Sequence, residues 1–425
     1  MNRYGLLYTL NGSEPSLKPL LFMAHQDVVP ADASSGWTYP PYTGYYDGSF
    51  VWGRGSSDCK NVLIGVLSAI ESLLSQSFAP RRTIVLSFGF DEETGGARGA
   101  TELSKALVKE WGKDSFLLAM DEGGMGVQPF GDVMYAYPGV GEKGYYDAEL
   151  ELKVRGGHSS RPPPHTGIGI MADITLALED ARYKPRLTES SPFRRVLECR
   201  AKYSPKHVEP WLHDMLRSGK EEIPEALAEE LGEEQWLVQT SQAVDVVVGG
   251  IKVNALPETV RLMINHRVIM HESIDFVNQH IHDALASIVQ KYNLDFKGVG
   301  EKDESTSSGG VLSMQALQTL PPAPLTPTGN NSVWQIFSGT LRHVFETTDA
   351  GHGKTVVPVG NIMTGNTDTV HYWDVTRNIY RYTPSRAGTR LNTHAIDERM
   401  EMTAHLEGIR LYYDLIRNFD SWDAE

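Results

Sequence analysis

The sequence predicts an α/β protein whose central, mostly parallel sheet is interrupted by a smaller, inserted α+β domain. Three observations carry this reading. Short apolar runs alternate with helical patterns through the first third of the chain, as in strand–helix–strand units with a parallel sheet. Near Glu142 the texture changes to strict apolar/polar alternation, the mark of a strand with one wet face. Beyond a polar, Pro-rich stretch, long amphipathic helices return. At 425 residues the chain is too long for one ordinary core. The expected division is a main domain over 1–142 and 301–425, with the insertion over 143–300.

Taken in order, "PLLFMAH" reads as a buried strand. "NVLIGVLSAIESLLSQ" places Val62, Val66, Ala69, Ile70 and Leu73 at helical spacing. "RRTIVLSFGF" is the next strand, "ATELSKALVKEWG" a helix and "SFLLAM" a further strand. In "YYDAELELKV", Ala148, Leu150, Leu152 and Val154 alternate with Glu149, Glu151 and Lys153. "IGIMADITLALEDA" reads as an amphipathic helix, and an acidic, helix-prone stretch covers about 205–240. "ETVRLMINHRVI" is a strand. "DFVNQHIHDALASIVQKY" is a helix with Phe276, Val277, Ile281, Leu285, Ile288 and Val289 on one stripe. "EKDESTSSGG" and "LPPAPLTPTGN" have linker composition. "SVWQIFSGTLRHVFE" and "RMEMTAHLEGIRLYYDLIRNF" return to helix, with short strands between them.

Composition limits the function classes. The formal charge of −15 argues against nucleic acid as a partner, because phosphate binding needs a basic surface. No apolar run approaches the ~18 residues of a membrane helix, and "MNRYGLLYTLNGSEP" lacks a signal-peptide core. Two cysteines, Cys59 and Cys199, make neither a disulfide framework nor a Cys-based zinc site. The sequons at Asn11 and Asn330 do not identify a compartment.

The polar residues at the strand ends carry the chemistry. "LLFMAHQD" ends in His25 and Asp27, "IVLSFGFDEE" in Asp91, Glu92 and Glu93, and "FLLAMDEGG" in Asp121 and Glu122. Asp58 lies in the Gly-rich turn "WGRGSSDCKN" before a helix. In open α/β sheets, sites form beyond the carboxyl ends of the strands, so these groups should converge on one crevice. Clustered carboxylates repel and push one another's pKa up unless a cation sits among them. His and carboxylate donors without thiolates suit Zn²⁺ before Mn²⁺ or Co²⁺. The number of acids suggests two metals bridged by one carboxylate, and "RLNTHAIDERM" supplies a second imidazole, His394.

The motifs "MAHQDVVP", "WGRGSSDCKN", "FGFDEETGG", "AMDEGG", "GGHSSRPP", "TGNTDTVHYW" and "THAIDERM" run from about residue 21 to residue 400. Together they resemble the dinuclear zinc exopeptidases that include aminoacylase and glutamate carboxypeptidase, and most of all the carboxypeptidase S (Gly-Xaa carboxypeptidase) branch. The resemblance implies a zinc-exopeptidase catalytic domain with an inserted ferredoxin-like lid and dimerisation domain, and two Zn²⁺ per chain. It implies that His25 and Asp121 bind one zinc, Glu93 and His394 the other, and that Asp58 bridges them. Asp27 would orient the His25 imidazole and Glu92 would be the general base. The two glutamates need not compete for one position, since adjacent side chains on extended backbone point apart. Asp91 is left a surface or capping part.

By the same resemblance His158 would reach an active site, often the partner subunit's, and steady the oxyanion. Asn254 and Arg267 would hold the substrate's carboxylate, and Asp368 and His371 would line the pocket. His207, His213 and His352 are expected at the surface. The implied reaction is removal of the C-terminal residue of short peptides; the alternative is aminoacylase-type hydrolysis of N-acyl amino acids. A homodimer through the inserted domain and a vacuolar or secretory location are also implied. Members of this branch usually carry an N-terminal anchor or signal segment and a helical segment before the first sheet strand. This sequence opens at a sheet strand, as a truncated or variant chain would.

Overall fold

The apolar runs of the first third become the middle of a seven-stranded sheet in a computed structural model, which describes residues 4–301 and 309–423. The strand order is Leu6–Leu10, Ile84–Gly89, Leu20–His25, Leu118–Asp121, Ile379–Arg381, Gly139–Glu142, Asn361–Met363. The four strands from Ile84–Gly89 to Ile379–Arg381 run parallel, and Leu6–Leu10 pairs antiparallel at one edge. Leu20–His25 and Ile84–Gly89 are buried at every position. Strands covered on both faces read as unbroken apolar runs, as these do.

Helix Lys60–Ser75 buries Val62, Val66, Ala69 and Leu73 against one face, while Ile70 is only partly buried. Helix Ala100–Trp111 buries Leu103 and Leu107 on the other face, with Leu21, Val85 and Ala119. Helices Ser332–Thr347 and Met402–Asp420 complete the first layer, adding Phe337, Leu341, Leu411 and Leu415 to its core. Because the central strands are parallel, their carboxyl ends share one edge. The register puts His25 opposite Gly89 and Phe22 opposite Met120, so the acidic turns that follow leave the sheet side by side.

Two compact units are distinguished: Met1–Gly141 with Pro192–Ser218 and Pro324–Glu425, and Glu142–Ser191 with Gly219–Ala323. The second contains an antiparallel sheet in the order Ser241–Gly249, Thr259–Val268, Gly144–Lys153, Val311–Leu320, with Asp295–Lys297 parallel at its edge. Helices Gly167–Asp180 and Ile274–Tyr292 share one core with that sheet, through Ile174, Leu178, Val277, Ile281 and Leu285. Thr166 and Ser273 cap the two helices, accepting from Gly169 N–H at 3.3 Å and Phe276 N–H at 3.2 Å. Phe276, read as part of the apolar stripe, is exposed. Glu149, read as wet, is buried: it lies on a strand paired on both sides, and its carboxylate accepts from Gln315 Nε2 at 2.5 Å.

The unit borders differ from the expected 143 and 300 in two places. Val311–Leu320 pairs along its length with Gly144–Lys153, so it belongs to the second unit's sheet. Pro192–Ser218 packs with the first unit, where Arg200 donates to Tyr137 Oη (3.1 and 2.9 Å) and its guanidinium lies 4.6 Å over Phe130. Of the linker "EKDESTSSGG", residues 302–308 lie outside the described residues. Among the described residues no helix is long and apolar enough to cross a membrane.

Candidate metal centre

His25 ends its strand with 2 % of its surface exposed. Its N–H donates to Cys59 Sγ (3.2 Å), and its ring Nδ1 lies 3.0 Å from the main-chain oxygen of Asp27. The other ring nitrogen, Nε2, faces Asp58 Oδ1 at 3.1 Å. The second oxygen of the same carboxylate, Asp58 Oδ2, faces His394 Nε2 at 3.1 Å. One aspartate therefore stands between two imidazoles, an oxygen turned to each. His394 Nε2 also lies 3.4 Å from Glu93 Oε1, which accepts from Val29 N–H at 3.2 Å.

The expected second role for Asp27 has a geometric basis. Its carboxylate is 3.4 Å from His25 Nδ1 and also accepts from the N–H groups of Glu92 (3.2 Å) and Glu93 (3.0 Å). It thus ties the imidazole to the loop that bears both glutamates. That loop is not extended, as the sequence reading assumed: Glu92–Thr94 is a 3₁₀ turn ending at Gly95, whose φ of 92° is left-handed. Both side chains still reach the cluster. Glu92 Oε2 comes within 4.0 Å of His25 Nε2, while Glu93 faces His394. Asp91 is buried rather than at the surface, and its carboxylate accepts from Arg98 N–H (2.7 Å) and Gly99 N–H (2.8 Å), tying the turn to the chain just before helix Ala100–Trp111.

The electrostatics are those of a crowded, half-neutralised acid cluster. Burial works against the Asp58 charge, but His25, His394 and the Arg390 guanidinium, 3.7 Å from Oδ2, outweigh it and hold the carboxyl well below its usual range. Burial likewise disfavours the His25 imidazolium, and contacts with Cys59, Asp27 and Asp58 reverse this, so its pKa is raised. Burial pushes Glu92 up to about 9, with the charges of Glu122, Asp368 and Glu93 adding to the effect and His25 opposing it. Burial together with the charges of Asp58 and Asp121 pushes Glu122 up to about 8. Burial pushes the Cys59 thiol up to about 12, and the charge of His25 opposes the shift.

The donor chemistry fits a divalent cation. His25 Nδ1 faces a carbonyl oxygen and its Nε2 a carboxylate, so a neutral ring leaves one lone pair pointing at another. A doubly protonated ring resolves this, and so does a cation shared by Nε2 and Oδ1. Three groups of donors lie within 4.8 Å of one another: His25, Asp58 and Cys59; His25, Glu92 and Glu93; Asp58, Glu93 and His394. Asp121 is in none of them. It ends the strand beside Leu20–His25, is buried, and its Oδ1 accepts from Glu122 N–H at 2.9 Å.

His371 sits on the 3₁₀ turn Asp368–His371, with Nε2 2.9 Å from Gly95 O and Nδ1 3.0 Å from Thr101 Oγ1. One ring nitrogen thus meets the carbonyl that closes the glutamate-bearing turn, and the other a hydroxyl of helix Ala100–Trp111. Asp368 is buried beside it, so close to Gly89 and Gly96 that a Cβ at either would come within 2.6 Å of its carboxylate. In the second unit, strand Gly157–His158 pairs with Ala255–Leu256, which brings His158 beside Asn254; Ser159 N–H donates to Asn254 O at 3.3 Å. His158 is exposed, and Arg267 is half-buried with its guanidinium 5.8 Å from the Tyr145 ring centre. His207 and His352 are exposed and His213 is half-buried. Sequence reasoning missed Arg390, Cys59 and Glu398 at the centre.

A sheet of parallel strands ending in a buried imidazole and carboxylates, with a second imidazole facing them, is the frame of a metal-dependent hydrolase. The description Peptidase family M20/M25/M40 matches residues 21–418, and the chain belongs to that family. It is 38 % identical to carboxypeptidase S of Saccharomyces cerevisiae, over 99 % of this chain and 75 % of that protein. It is 30 % identical to the N-fatty-acyl-amino acid synthase/hydrolase of Mus musculus, over 99 % and 78 %. Among solved structures it resembles the M20 family metallo-carboxypeptidase Sso-CP2 from Sulfolobus solfataricus, with a TM-score of 0.64 and 19 % identity, covering 98 % of this chain and 88 % of that one. The chain is thus a peptidase-class hydrolase of the carboxypeptidase S branch, with the expected α/β main domain and α+β insertion.

Proposed function

We propose that the chain is a zinc carboxypeptidase that removes the C-terminal residue of short peptides and holds two Zn²⁺. The observation that carries this reading is Asp58, with one oxygen 3.1 Å from each of two imidazole nitrogens. In it, His25 and Asp121 hold one ion, Glu93 and His394 the other, and Asp58 both. When bound, such a pair of ions polarises the scissile carbonyl and lowers the pKa of water between them. Glu92 takes the proton from the attacking water and returns it to the leaving amine, and its raised pKa suits an acceptor that must also donate. Asp27 keeps Nδ1 of His25 turned away from the ion and fixes the backbone of Glu92 and Glu93. The substrate parts, His158 for the oxyanion and Asn254 and Arg267 for the free carboxylate, belong to the same proposal.

The deciding experiment pairs metal analysis with hydrolysis of a blocked dipeptide, Z-Gly-Leu. Two zinc equivalents and release of leucine are expected; purified, active protein with no bound metal overturns the reading. The second reading, hydrolysis of N-acyl amino acids, draws on the similarity to an N-fatty-acyl-amino acid hydrolase. Faster turnover of an acyl amino acid than of Z-Gly-Leu decides for it. A homodimer through the second unit belongs to the proposal as well. Its support is the edge strand Ser241–Gly249, which exposes Val246, Val247 and Val248, and sedimentation is the test. A vacuolar or secretory location is proposed on the likeness to the carboxypeptidase S branch.

A further inference from the structure

Strand Arg399–Glu401 pairs antiparallel with Phe50–Trp52, Arg399 opposite Trp52. Glu398 therefore lies beside Gly53, whose N–H donates to its main-chain oxygen at 2.9 Å. From there the side chain turns under the loop that leads to Asp58, and it has no exposed surface. Its Oε1 accepts from Gly55 N–H (3.0 Å), Ser57 N–H (2.9 Å), Ser57 Oγ–H (3.1 Å) and Asp58 N–H (3.2 Å). Its Oε2 accepts from Arg54 Nη1 at 2.6 Å, in a pair where both side chains are buried. One carboxylate thus satisfies the loop's inward N–H groups from about 340 residues away in sequence. The hydroxyl of Ser57 also meets Thr393 Oγ1 at 3.2 Å, the residue before His394.

We propose that Glu398 is a positioning residue that fixes Asp58 relative to His394, and so sets the spacing of the bridging carboxylate and the second imidazole. The short segment 393–398 presents His394 to Asp58 Oδ2 from one side and grips the Asp58 backbone from the other. Asn392, His394 and Asp397 all have left-handed φ angles, near 60°, and Asp397 is tied to Thr38 through its N–H (2.7 Å) and hydroxyl (2.8 Å). The segment is therefore held at both ends and transmits the position of Glu398 to the ring. Glu398 touches neither substrate nor reacting atoms; it acts through Asp58. The inference rests on the two-metal reading.

The test is titration of the metal-stripped full chain with Co²⁺, read by its visible absorption bands and by competition with a chromophoric chelator. Glu398→Gln keeps size but loses the charge facing Arg54, and Glu398→Asp withdraws the acceptor from the loop. Loss of a partner that orients ligands weakens metal binding by about 10–100-fold. Both variants are expected to show a loss in that range with altered absorption bands. Ser57→Ala removes a single strut and leaves the buried charges in place, so it folds, and it should show a smaller loss of the same kind. Wild-type affinity and bands in Glu398→Gln overturn the proposal while leaving the two-metal reading standing. If Glu398→Gln fails to fold, unchanged binding by Ser57→Ala overturns it. Failure of the wild-type chain to bind Co²⁺ overturns the two-metal reading itself, and this proposal with it.

Discussion

Replacing Glu92 with Gln separates a base from a ligand. The carboxyl sits 4.0 Å from His25 Nε2 with 15 % of its side chain exposed, so bulk water reaches it poorly. A positioned general acid–base contributes about 10²–10⁴ in rate. In the proposed reaction the same group serves both proton transfers, and little water can stand in for it, so the loss should fall in the upper half, about 10³–10⁴ in kcat. At about 1.36 kcal/mol per tenfold, that is about 4–5 kcal/mol of barrier. Gln has nearly the volume of Glu, and below about pH 9 the carboxyl of the metal-free protein is mostly protonated and uncharged. The fold should therefore lose nothing. The assay is steady-state hydrolysis of Z-Gly-Leu beside zinc content measured on the same preparation. Zinc retained with activity within tenfold of wild type removes Glu92 from the base role. Zinc lost along with activity makes it a ligand instead.

Three further outcomes are expected. His158→Ala should lower turnover of Z-Gly-Leu by at least tenfold with zinc content unchanged, and wild-type rates would remove His158 from the reaction. His266 is buried against Tyr146 O and Gln242, and burial depresses its pKa to about 4. The unfolded chain then binds the extra proton first, so stability is full above about pH 6.5 and falls toward pH 4, by up to about 3 kcal/mol; urea melts of wild type and His266→Gln across that range should diverge at neutral pH and converge in acid. Arg82 has no exposed surface and donates to the main-chain oxygens of Phe419 (2.9 Å), Lys18 (3.0 Å) and Trp422 (2.8 Å). Arg82→Met strands these acceptors and should destabilise by about 3 kcal/mol or more in the same melts.

The sheet and most of the centre were legible because one physical conflict marks them. An apolar strand that ends in charge, as at His25, Glu92–Glu93 and Asp121, needs a reason, and a shared cation is one. Asp58 was legible from its Gly-rich turn. Glu398 was not, because its partners are backbone N–H groups far away in the chain, and a Glu in "DERM" looks like any surface acid. The ring contacts of His371 to Gly95 O and Thr101 were hidden for a similar reason: they leave no pattern in sequence. The unit borders failed at Val311–Leu320 and Pro192–Ser218 because pairing and packing across long separations, such as Arg200 on Tyr137, change no local composition. The extended-backbone argument for Glu92 and Glu93 failed because Gly95 closes a tight turn there.

The donors of the centre come from widely separated parts of the chain: His25 and His394 stand 369 residues apart, with the whole second unit between them. At about 5–20 residues per second, a ribosome needs roughly 20–75 s to travel that distance. From the addition of Asp121 until the end of that interval, Asp58, Glu92, Glu93 and Asp121 exist without their last imidazole and without the Glu398 anchor. A nascent chain of this kind is an open acidic chelator before it is an enzyme, and its final ion affinity arises only with the last strand and helix to emerge.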